Sequence, residues 1–361
     1  MTKIGSTLMR LNSRSPSSLC YGLDEGDGGN RAAIWRIVLW LFLALALVAS
    51  LCVLPAKAQA TRTYVSGRGN DTNACTATAP CLSLQTALAR TAPGGEIYSL
   101  DSADYGNITI NKSVSILAGR GVTGVLAASS LTGVTINAAA SDVITLQGLD
   151  IDGANSGGSG IQFTSGASLN IQDSAIRGFA NGINFQPVGS STLLINRTLI
   201  SNNSTGIYFR SNAISTAALN DVQVINNGSG IVATGASNAG MANWTIQGST
   251  VANNTTVGVA AGAFAAISVA NSTITNNAVG VQVQSSSTLM RVSGSTVAAN
   301  GTAWQAVTGA YITSAGSNYL GGNTSGDTAP PAPTIPVATS FLTDGAGHYL
   351  LDPSGQRLTS L

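Results

Sequence analysis

Charged side chains are scarce in this sequence. Asp, Glu, Lys and Arg make up 9% of its 361 residues, against roughly 25% in typical soluble proteins. The formal net charge is only +1, so the sequence lacks the basic surface that is typical of nucleic-acid-binding proteins. Apolar residues still account for 44%, which excludes a disordered chain of low hydrophobicity. We therefore expect a folded protein with few charged surface helices and no nucleic-acid partner.

Long apolar runs are also rare, and the clearest one lies near the N-terminus. Arg31 and Arg36 precede the apolar run Ile37–Val53, and the small-residue segment "AKAQA" follows it. A basic flank, an apolar stretch and an A-x-A site predict a secretory signal, cleaved after Ala58 or Ala60. An uncleaved anchor is the alternative, because 17 apolar residues are close to the short limit for a spanning helix. Either reading predicts export to the periplasm, the cell surface or the medium.

Cysteine is limited to four residues, and two of them, Cys20 and Cys52, lie in the predicted leader, residues 1–60. Cys75 and Cys81 remain, six positions apart. In an exported chain this pair predicts a local disulfide. A metal site is the alternative, which the absence of nearby His or further Cys disfavours. We predict no metal and no cofactor.

What the sequence has in abundance is repetition. Six segments align: "IQDSAIRGFANGINF" from Ile171, "INRTLISNNSTGIYF" from Ile195, "LNDVQVINNGSGIVA" from Leu219, "IQGSTVANNTTVGVA" from Ile246, "VANSTITNNAVGVQV" from Val269 and "VSGSTVAANGTAWQA" from Val292. Their starts are 24, 24, 27, 23 and 23 residues apart, a period typical of solenoids. Apolar residues fall at the first and sixth positions and two residues before each start, which indicates short strands. A β-sandwich would instead give antiparallel hairpins, with turns every 8–12 residues or so.

Asparagine recurs at the ninth position of five units. These residues are Asn203, Asn227, Asn254, Asn277 and Asn300. Asn tolerates the left-handed backbone that a sharp corner demands. At the strand spacing of about 4.8 Å, stacked Asn side chains would form a ladder between coils. We predict that their role is structural.

From Thr63 to Gly322 the sequence resembles the right-handed parallel β-helix proteins of the pectin-lyase-like superfamily, in particular exported bacterial members of undefined activity. The most distinctive part is the entry segment "YVSGRGNDTNACTATAPCLSLQTALARTAPGGEIYSL". There Leu82–Arg90 resembles the helix that caps the first coil, "APGG" would end that helix, and "EIYSL" would begin a strand. The resemblance implies an all-β solenoid of about nine or ten coils. It would occupy residues 61–326, with the cap at 61–96 and a Pro-rich linker and tail at 327–361.

The resemblance also implies which residues catalysis would need. Polygalacturonan hydrolases of this superfamily use clustered Asp with a His, and its pectate lyases use acidic calcium ligands with an Arg or Lys base. The single histidine, His348, lies outside the repeats, and no Glu occurs between Asp142 and Gly322. This scarcity argues against an enzyme.

The few acidic residues of the repeats coincide in position with arginines. Asp173, Arg197 and Asp221 occupy the third position of successive units, and Asp152 and Arg177 share the seventh position. Stacked residues of this kind predict an acid–base–acid ladder and a second ion pair. The alternative is a catalytic or calcium-binding patch. That patch would consist of Asp150, Asp152, Asp173 and Arg177.

The third strand of each unit presents mostly polar residues outward. They are Gln162, Asn184, Gln186, Tyr208, Arg210, Gln282, Gln284 and Gln305. Amides, an aromatic ring and a guanidinium on a flat sheet suit an extended sugar chain; the alternative is a merely solvated surface. We predict an exported, non-enzymatic β-helix protein that binds or presents at the cell envelope, with a polysaccharide as candidate ligand. A polysaccharide lyase, with calcium as its cofactor, is the alternative.

Overall fold

The computed structural model describes residues 28–51, 59–118, 123–126, 132–237, 240–286, 288–315 and 317–328. The chain divides into two units, Met1–Ala58 and Gln59–Leu361. In the first unit a helix, α1, spans Gly28–Leu51. No helix in these described ranges is long and apolar enough to cross a membrane. The rest of the predicted leader before Gln59, and the tail from residue 329, lie outside the described residues.

The second unit contains a short helix, α2 (Leu84–Arg90), and many short strands. The strands are β1 Ala60–Val65, β2 Thr91–Ser99, β3 Ile108–Ile110, β4 Val114–Leu117, β5 Thr123–Leu126, β6 Val134–Asn137, β7 Val143–Gln147, β8 Leu149–Ser165, β9 Ser168–Gln172, β10 Ala175–Phe185, β11 Thr192–Asn196, β12 Leu199–Ser201, β13 Thr205–Ser211, β14 Ser215–Asn220, β15 Gln223–Ile225, β16 Ser229–Gly235, β17 Ala242–Gln247, β18 Thr250–Ala252, β19 Val257–Ala261, β20 Ala265–Ala270, β21 Thr273–Thr275, β22 Val279–Val283, β23 Leu289–Ser293, β24 Thr296–Ala298, β25 Thr302–Ala306, β26 Tyr311–Ser314 and β27 Tyr319–Gly321.

These strands form two sheets whose neighbours come from successive coils. Sheet A has the order β1-β2-β4-β7-β9-β11-β14-β17-β20-β23-β26. Sheet B contains two stacks joined through the long strands β8 and β10. Its first stack continues through β12, β15, β18, β21, β24 and β27, and its second through β13, β16, β19, β22 and β25. Parallel pairing throughout the described strands confirms the predicted all-β parallel β-helix and excludes the β-sandwich.

The register reproduces the period read from the sequence. One row of paired residues in sheet A runs through Leu169, Leu193, Ala217, Trp244, Ile267 and Met290. These residues lie two positions before the starts of the six aligned segments, so each segment is one coil. The 27-residue coil therefore differs from its neighbours only in the length of its connections.

Stacked apolar side chains fill the interior. Ile176, Ile200 and Val224 pair in register in the first stack of sheet B and are fully buried. In the second stack the rings of Phe163 and Phe185 lie 4.4 Å apart, and Phe209 continues the stack. Each such aromatic pair adds roughly 0.5–1.5 kcal/mol to the free energy of burial. The core is thus a set of ladders that run from coil to coil.

The predicted cap is present at the N-terminal end of the β-helix. Helix α2 begins at Leu84, two residues later than expected, because the Ser83 side chain accepts a hydrogen bond from the Thr86 amide as N-cap. The helix ends against Thr91, where β2 starts directly, so "APGG" belongs to the strand and the prediction that it ends the helix is wrong. Cys75 and Cys81 form the predicted disulfide.

In the regular coils, from Asp173 onward, left-handed residues make two corners. At the first corner, between sheet A and the first stack of sheet B, Asp173 and Arg197 have φ of 49° and 43°. At the second corner, between the two stacks of sheet B, Asn202 and Asn226 have φ of 56° and 57°. The sequence interpretation gave this conformation to the ninth position, and it is wrong by one residue. The ninth side chain must point inward, so the preceding residue makes the turn.

The inward asparagines form a continuous ladder. Asn227 accepts hydrogen bonds from the amide and Nδ2 of Asn203, at 3.0 and 3.1 Å, and donates to Asn254 Oδ1 at 3.2 Å. The ladder continues through Asn277 and Asn300. It runs one coil further than the sequence analysis placed it, to Asn323, whose Nδ2 donates to the carboxylate of Asp327. Asp327 therefore provides the last acceptor.

Candidate functional site: the first-corner surface

Charged residues of the coils concentrate beside the first corner. Nine charged residues occur from Asp142 to Gly326. Six of them lie at this corner or on the strands of sheet B that follow it: Asp150, Asp152, Asp173, Arg177, Arg197 and Asp221. Four acids and two arginines leave this surface with a formal charge of −2. In a chain so poor in charge, this cluster is the first candidate for a functional site.

Arg177 connects both acidic residues of the preceding coil. Its Nη1 and Nη2 contact the two carboxylate oxygens of Asp150, the second at 2.9 Å. Its Nε donates to Asp152 Oδ2 at 3.0 Å. The hydrogen bond to Asp150 is the main cause of a raised Arg177 pKa, and it outweighs the opposing effect of burial. The guanidinium therefore stays charged, and the two carboxylates share one cation.

The third-position residues form one ion pair rather than the predicted three-residue ladder. Arg197 Nε and Nη2 donate to the two oxygens of Asp173 at 2.7 and 3.0 Å. This hydrogen bonding, with the charge of Asp173, raises the Arg197 pKa. Asp221 contributes only through its charge, and no ion pair joins it to Arg197 among the described residues. Among these residues Arg197 binds only Asp173, because the parallel Nε and Nη2 donors of one guanidinium point in one direction and can bind one carboxylate.

A groove with a volume of about 430 Å³ lies along this corner. Asp150, Asp173, Arg197, Asp221 and Gln223 are among the residues that line it. We call it the charged groove. Of the four residues in the alternative catalytic patch, Asp150 and Asp173 line the charged groove. Arg177 lies beside the groove because it binds Asp150, and it also binds Asp152.

An amide row that the sequence analysis missed flanks the charged groove. It consists of Gln147, Gln172, Asn196, Asn220 and Gln247, which pair in register on five consecutive strands of sheet A. All five side chains are at least partly exposed. Four of them make no side-chain hydrogen bond within the described part of the chain, and Gln147 contacts Asp173 at 3.4 Å. Four members of the row stand at the second position of an aligned segment, in "IQDS", "INRT", "LNDV" and "IQGS", so the sequence repeat already contained this pattern.

The predicted third-strand surface is divided into two parts. Gln162, Asn184 and Tyr208 pair in register on one part, with Gln186 directly after β10 and Arg210 in β13. Val232 and Ala260 interrupt the row before Gln282 and Gln305. The amides bind each other: Asn184 donates to Gln162 at 2.7 Å, Gln186 to Asn184 at 2.7 Å and Gln284 to Gln282 at 2.6 Å. Much of their hydrogen-bonding capacity is therefore used within the protein.

No group of three or more His, Cys, Asp or Glu that could hold a metal ion occurs among the described residues. At the charged groove the reason is visible, since Arg177 and Arg197 occupy the carboxylates that a cation would need.

Comparison with solved structures shows the same fold in other proteins. Pectate lyase Pel9A matches with a TM-score of 0.50 and 16% sequence identity, over 83% of this chain and 87% of that chain. The A-module of the mannuronan C-5 epimerase AlgE4 from Azotobacter vinelandii is similar with a TM-score of 0.42 and 13% identity, over 66% and 90%. No curated protein is significantly similar in sequence. The Pel9A match confirms the predicted resemblance at the level of the fold.

The sequence profile of a family described as "Periplasmic copper-binding protein (NosD)" matches residues 136–326. This match extends from β6 through the last described coil and includes the charged groove and the amide row. It covers more than half of the 361 residues. The chain belongs to the NosD family.

Proposed function

We propose that this protein is an exported, non-enzymatic β-helix protein that binds an extended polysaccharide at the cell envelope. The observation that carries the proposal is the amide row beside the charged groove. Consecutive coils repeat at the strand spacing of about 4.8 Å, so the five amides span about 19 Å along the stack. Each amide offers donors and an acceptor to hydroxyl groups. A linear polymer that follows the stack meets a new amide at every coil.

The amide row suits a ligand better than the third-strand surface, because its amides are less occupied by hydrogen bonds within the protein. The third-strand amides already donate to one another, whereas Asn196 and Asn220 have no side-chain partner in the described residues. A ligand hydroxyl that binds a pre-paired amide must replace an existing hydrogen bond, which reduces the net gain. The amide row also lies next to a groove, and concave surfaces bury more of a ligand than flat ones.

Export is supported by the apolar N-terminal segment, the disulfide Cys75–Cys81 and a family described as periplasmic. Disulfides of this kind persist in oxidising compartments. The proposal places the β-helix in the periplasm or on the outer surface, where envelope and extracellular polysaccharides are accessible.

The pairing of the acids supports binding without cleavage. A lyase or hydrolase needs a proton acceptor at the cleaved bond and a group that stabilises developing negative charge. Asp150 and Asp152 are held by Arg177, and Asp173 by Arg197. A catalytic role for either arginine would require it to leave its carboxylate partners. The likeness to Pel9A is one of fold and does not favour its activity.

Affinity electrophoresis in gels that contain a neutral glucan, alginate or chitosan tests the proposal. The wild-type protein is expected to be retarded in at least one gel. In Asn196→Ala/Asn220→Ala, two ligand hydrogen bonds are lost, which lowers the affinity about tenfold or more.

The matched control is Gln282→Ala/Gln305→Ala, which removes two amides from the third-strand surface. It is expected to bind like wild type, and equal unfolding midpoints of all three proteins would show that they are folded. The proposal fails if no gel retards the wild-type protein. Loss of binding in the control alone would move the ligand to the third-strand surface.

A further inference from the structure

We infer that the β-helix of this chain has no copper site, although the description of its family names copper. The inference concerns the donor atoms that the coils and cap supply. It does not depend on the polysaccharide proposal.

Cu(I) prefers thiolate and thioether sulfur, and the β-helix offers little of either. Cys75 and Cys81 are joined in a disulfide and are buried, so neither is a thiolate. The Nη1 atom of Arg90 lies 2.9 Å from Cys81 Sγ and 3.3 Å from Cys75 Sγ. A guanidinium at this distance repels a second cation. The cysteine pair is therefore a structural bridge of the cap.

The thioethers of the described coils are too far apart to act together. Met290 is fully buried in the core. Met241 precedes β17, and β17 and β23 are separated by β20 in sheet A. Two strand spacings correspond to about 10 Å, whereas ligands of one copper ion lie within a few ångströms of each other. No pair of sulfur donors can converge without unfolding a coil.

Cu(II) prefers imidazole and other nitrogen and oxygen donors in tetragonal geometry. Histidine is absent from residues 59–328, because the chain's single histidine is His348. Carboxylates remain, and those of Asp150, Asp152 and Asp173 are bound to arginines. Asp142 accepts from Ser113 Oγ at 2.7 Å and from the Ala139 amide at 2.9 Å. The remaining carboxylate of the charged groove, Asp221, provides a single ligand beside the charge of Arg197.

Copper retention by the full chain tests the inference. Oxidised protein freed of metal is mixed with Cu(II) or, under nitrogen with ascorbate, with Cu(I), then desalted and analysed by atomic absorption. Far less than one equivalent of either ion is expected to remain. The melting temperature is measured in parallel, because an ion that binds only the native state raises it; no rise is expected.

Three variants make the result specific. His348→Ala removes the single imidazole, so copper that wild type retains and this variant loses is bound outside the coils, as the inference requires. Thr250→His/Thr273→His places two histidines on paired, outward positions of neighbouring coils and is expected to gain Cu(II) binding. One equivalent of copper that survives when His348→Ala is combined with Cys20→Ser and Cys52→Ser, which removes the leader thiols, or a raised melting temperature in that triple variant, would overturn the inference.

Discussion

Arg197 and Asp173 form a bidentate ion pair between adjacent coils while both residues have left-handed backbone, with φ of 43° and 49°. A side chain at positive φ strains the backbone, and Gly148 and Gly248 hold the same corner in other coils without that strain. The charged residues at this corner are therefore kept at a conformational cost. This is consistent with a role at the surface rather than in folding.

Two replacements of Arg197 should separate the effect of backbone strain on stability from the effect of the ion pair with Asp173. Arg197→Ala loses the ion pair and keeps a Cβ at positive φ, so its unfolding midpoint should fall below that of wild type. Arg197→Gly loses the same ion pair but relieves the backbone, and should be more stable than the alanine variant. Urea unfolding of both variants checks this order, and a glycine variant less stable than the alanine variant would contradict the strained corner.

Loss of one ladder asparagine should strongly destabilise its coil. Asn227→Ala removes the acceptor of the Asn203 amide and the donor to the carbonyls of Ile200 and Ile225. Asn227 and its bonds to Asn203 and Ile200 are buried, and the bond to Ile225 is partly buried, so we expect a loss of about 2–4 kcal/mol in the free energy of unfolding. Gln223→Ala, an exposed change in the same coil, should stay within about 0.5 kcal/mol of wild type. Equal midpoints for the two variants would refute the ladder.

The second corner can be improved in the coil before the last one, where Gly322 holds the equivalent position of the last coil. Ala299 has φ of 55°, where Asn253 and Asn276 occupy the equivalent position. Asparagine tolerates this conformation better than alanine, so Ala299→Asn should stabilise the protein by about 0.5–1 kcal/mol. Ala298→Asn, one residue earlier in the extended strand β24, should not stabilise it. Thermal unfolding of both variants measures the difference.

The sequence predicted those features that recur at a fixed position in every coil. The period, the strands and the ninth-position asparagines repeat, because each coil must stack on the last. The disulfide could be predicted because the chain has two cysteines six positions apart after a predicted export signal. The position of the left-handed residue was missed by one, because Asn occurs at both the eighth and ninth positions and only the backbone path distinguishes them.

The candidate site was harder to predict because it depends on where each side chain points as well as on its position in the repeat. Arg197 stands between Asp173 and Asp221 in the sequence pattern, yet its planar guanidinium pairs with one of them. Outward polar residues were noticed on the third strand, where they bind each other. The amide row lay in the second position of four of the six aligned units and was equally visible, but only the structure shows that four of its five side chains have no side-chain hydrogen-bond partner among the described residues.

Acid should weaken the N-terminal cap through Asp101. Its carboxylate accepts hydrogen bonds from Ser66 Oγ, the Gly67 amide and Tyr105 Oη, and these bonds, that of Ser66 first, lower its pKa. A lowered pKa in the folded state stabilises the protein above the unfolded pKa of about 3.9. That contribution is lost as the pH falls from there through the folded pKa.

Asp101→Asn should therefore be less stable than wild type at neutral pH, and the difference should shrink below about pH 4. Unfolding midpoints across the acid range measure this difference. Parallel pH profiles of wild type and variant would rule out a contribution from Asp101.

Size-exclusion chromatography with light scattering tests the central claim most directly, because it reports binding and cleavage together. Full-length protein is incubated at length with the polysaccharide that retards it most in affinity electrophoresis, with and without calcium, and then chromatographed. We predict that protein and polymer elute together and that the molar mass of the polymer does not change. A polymer whose molar mass falls with time in wild type, but not in Asp152→Asn, would show that the protein is an enzyme and contradict the account.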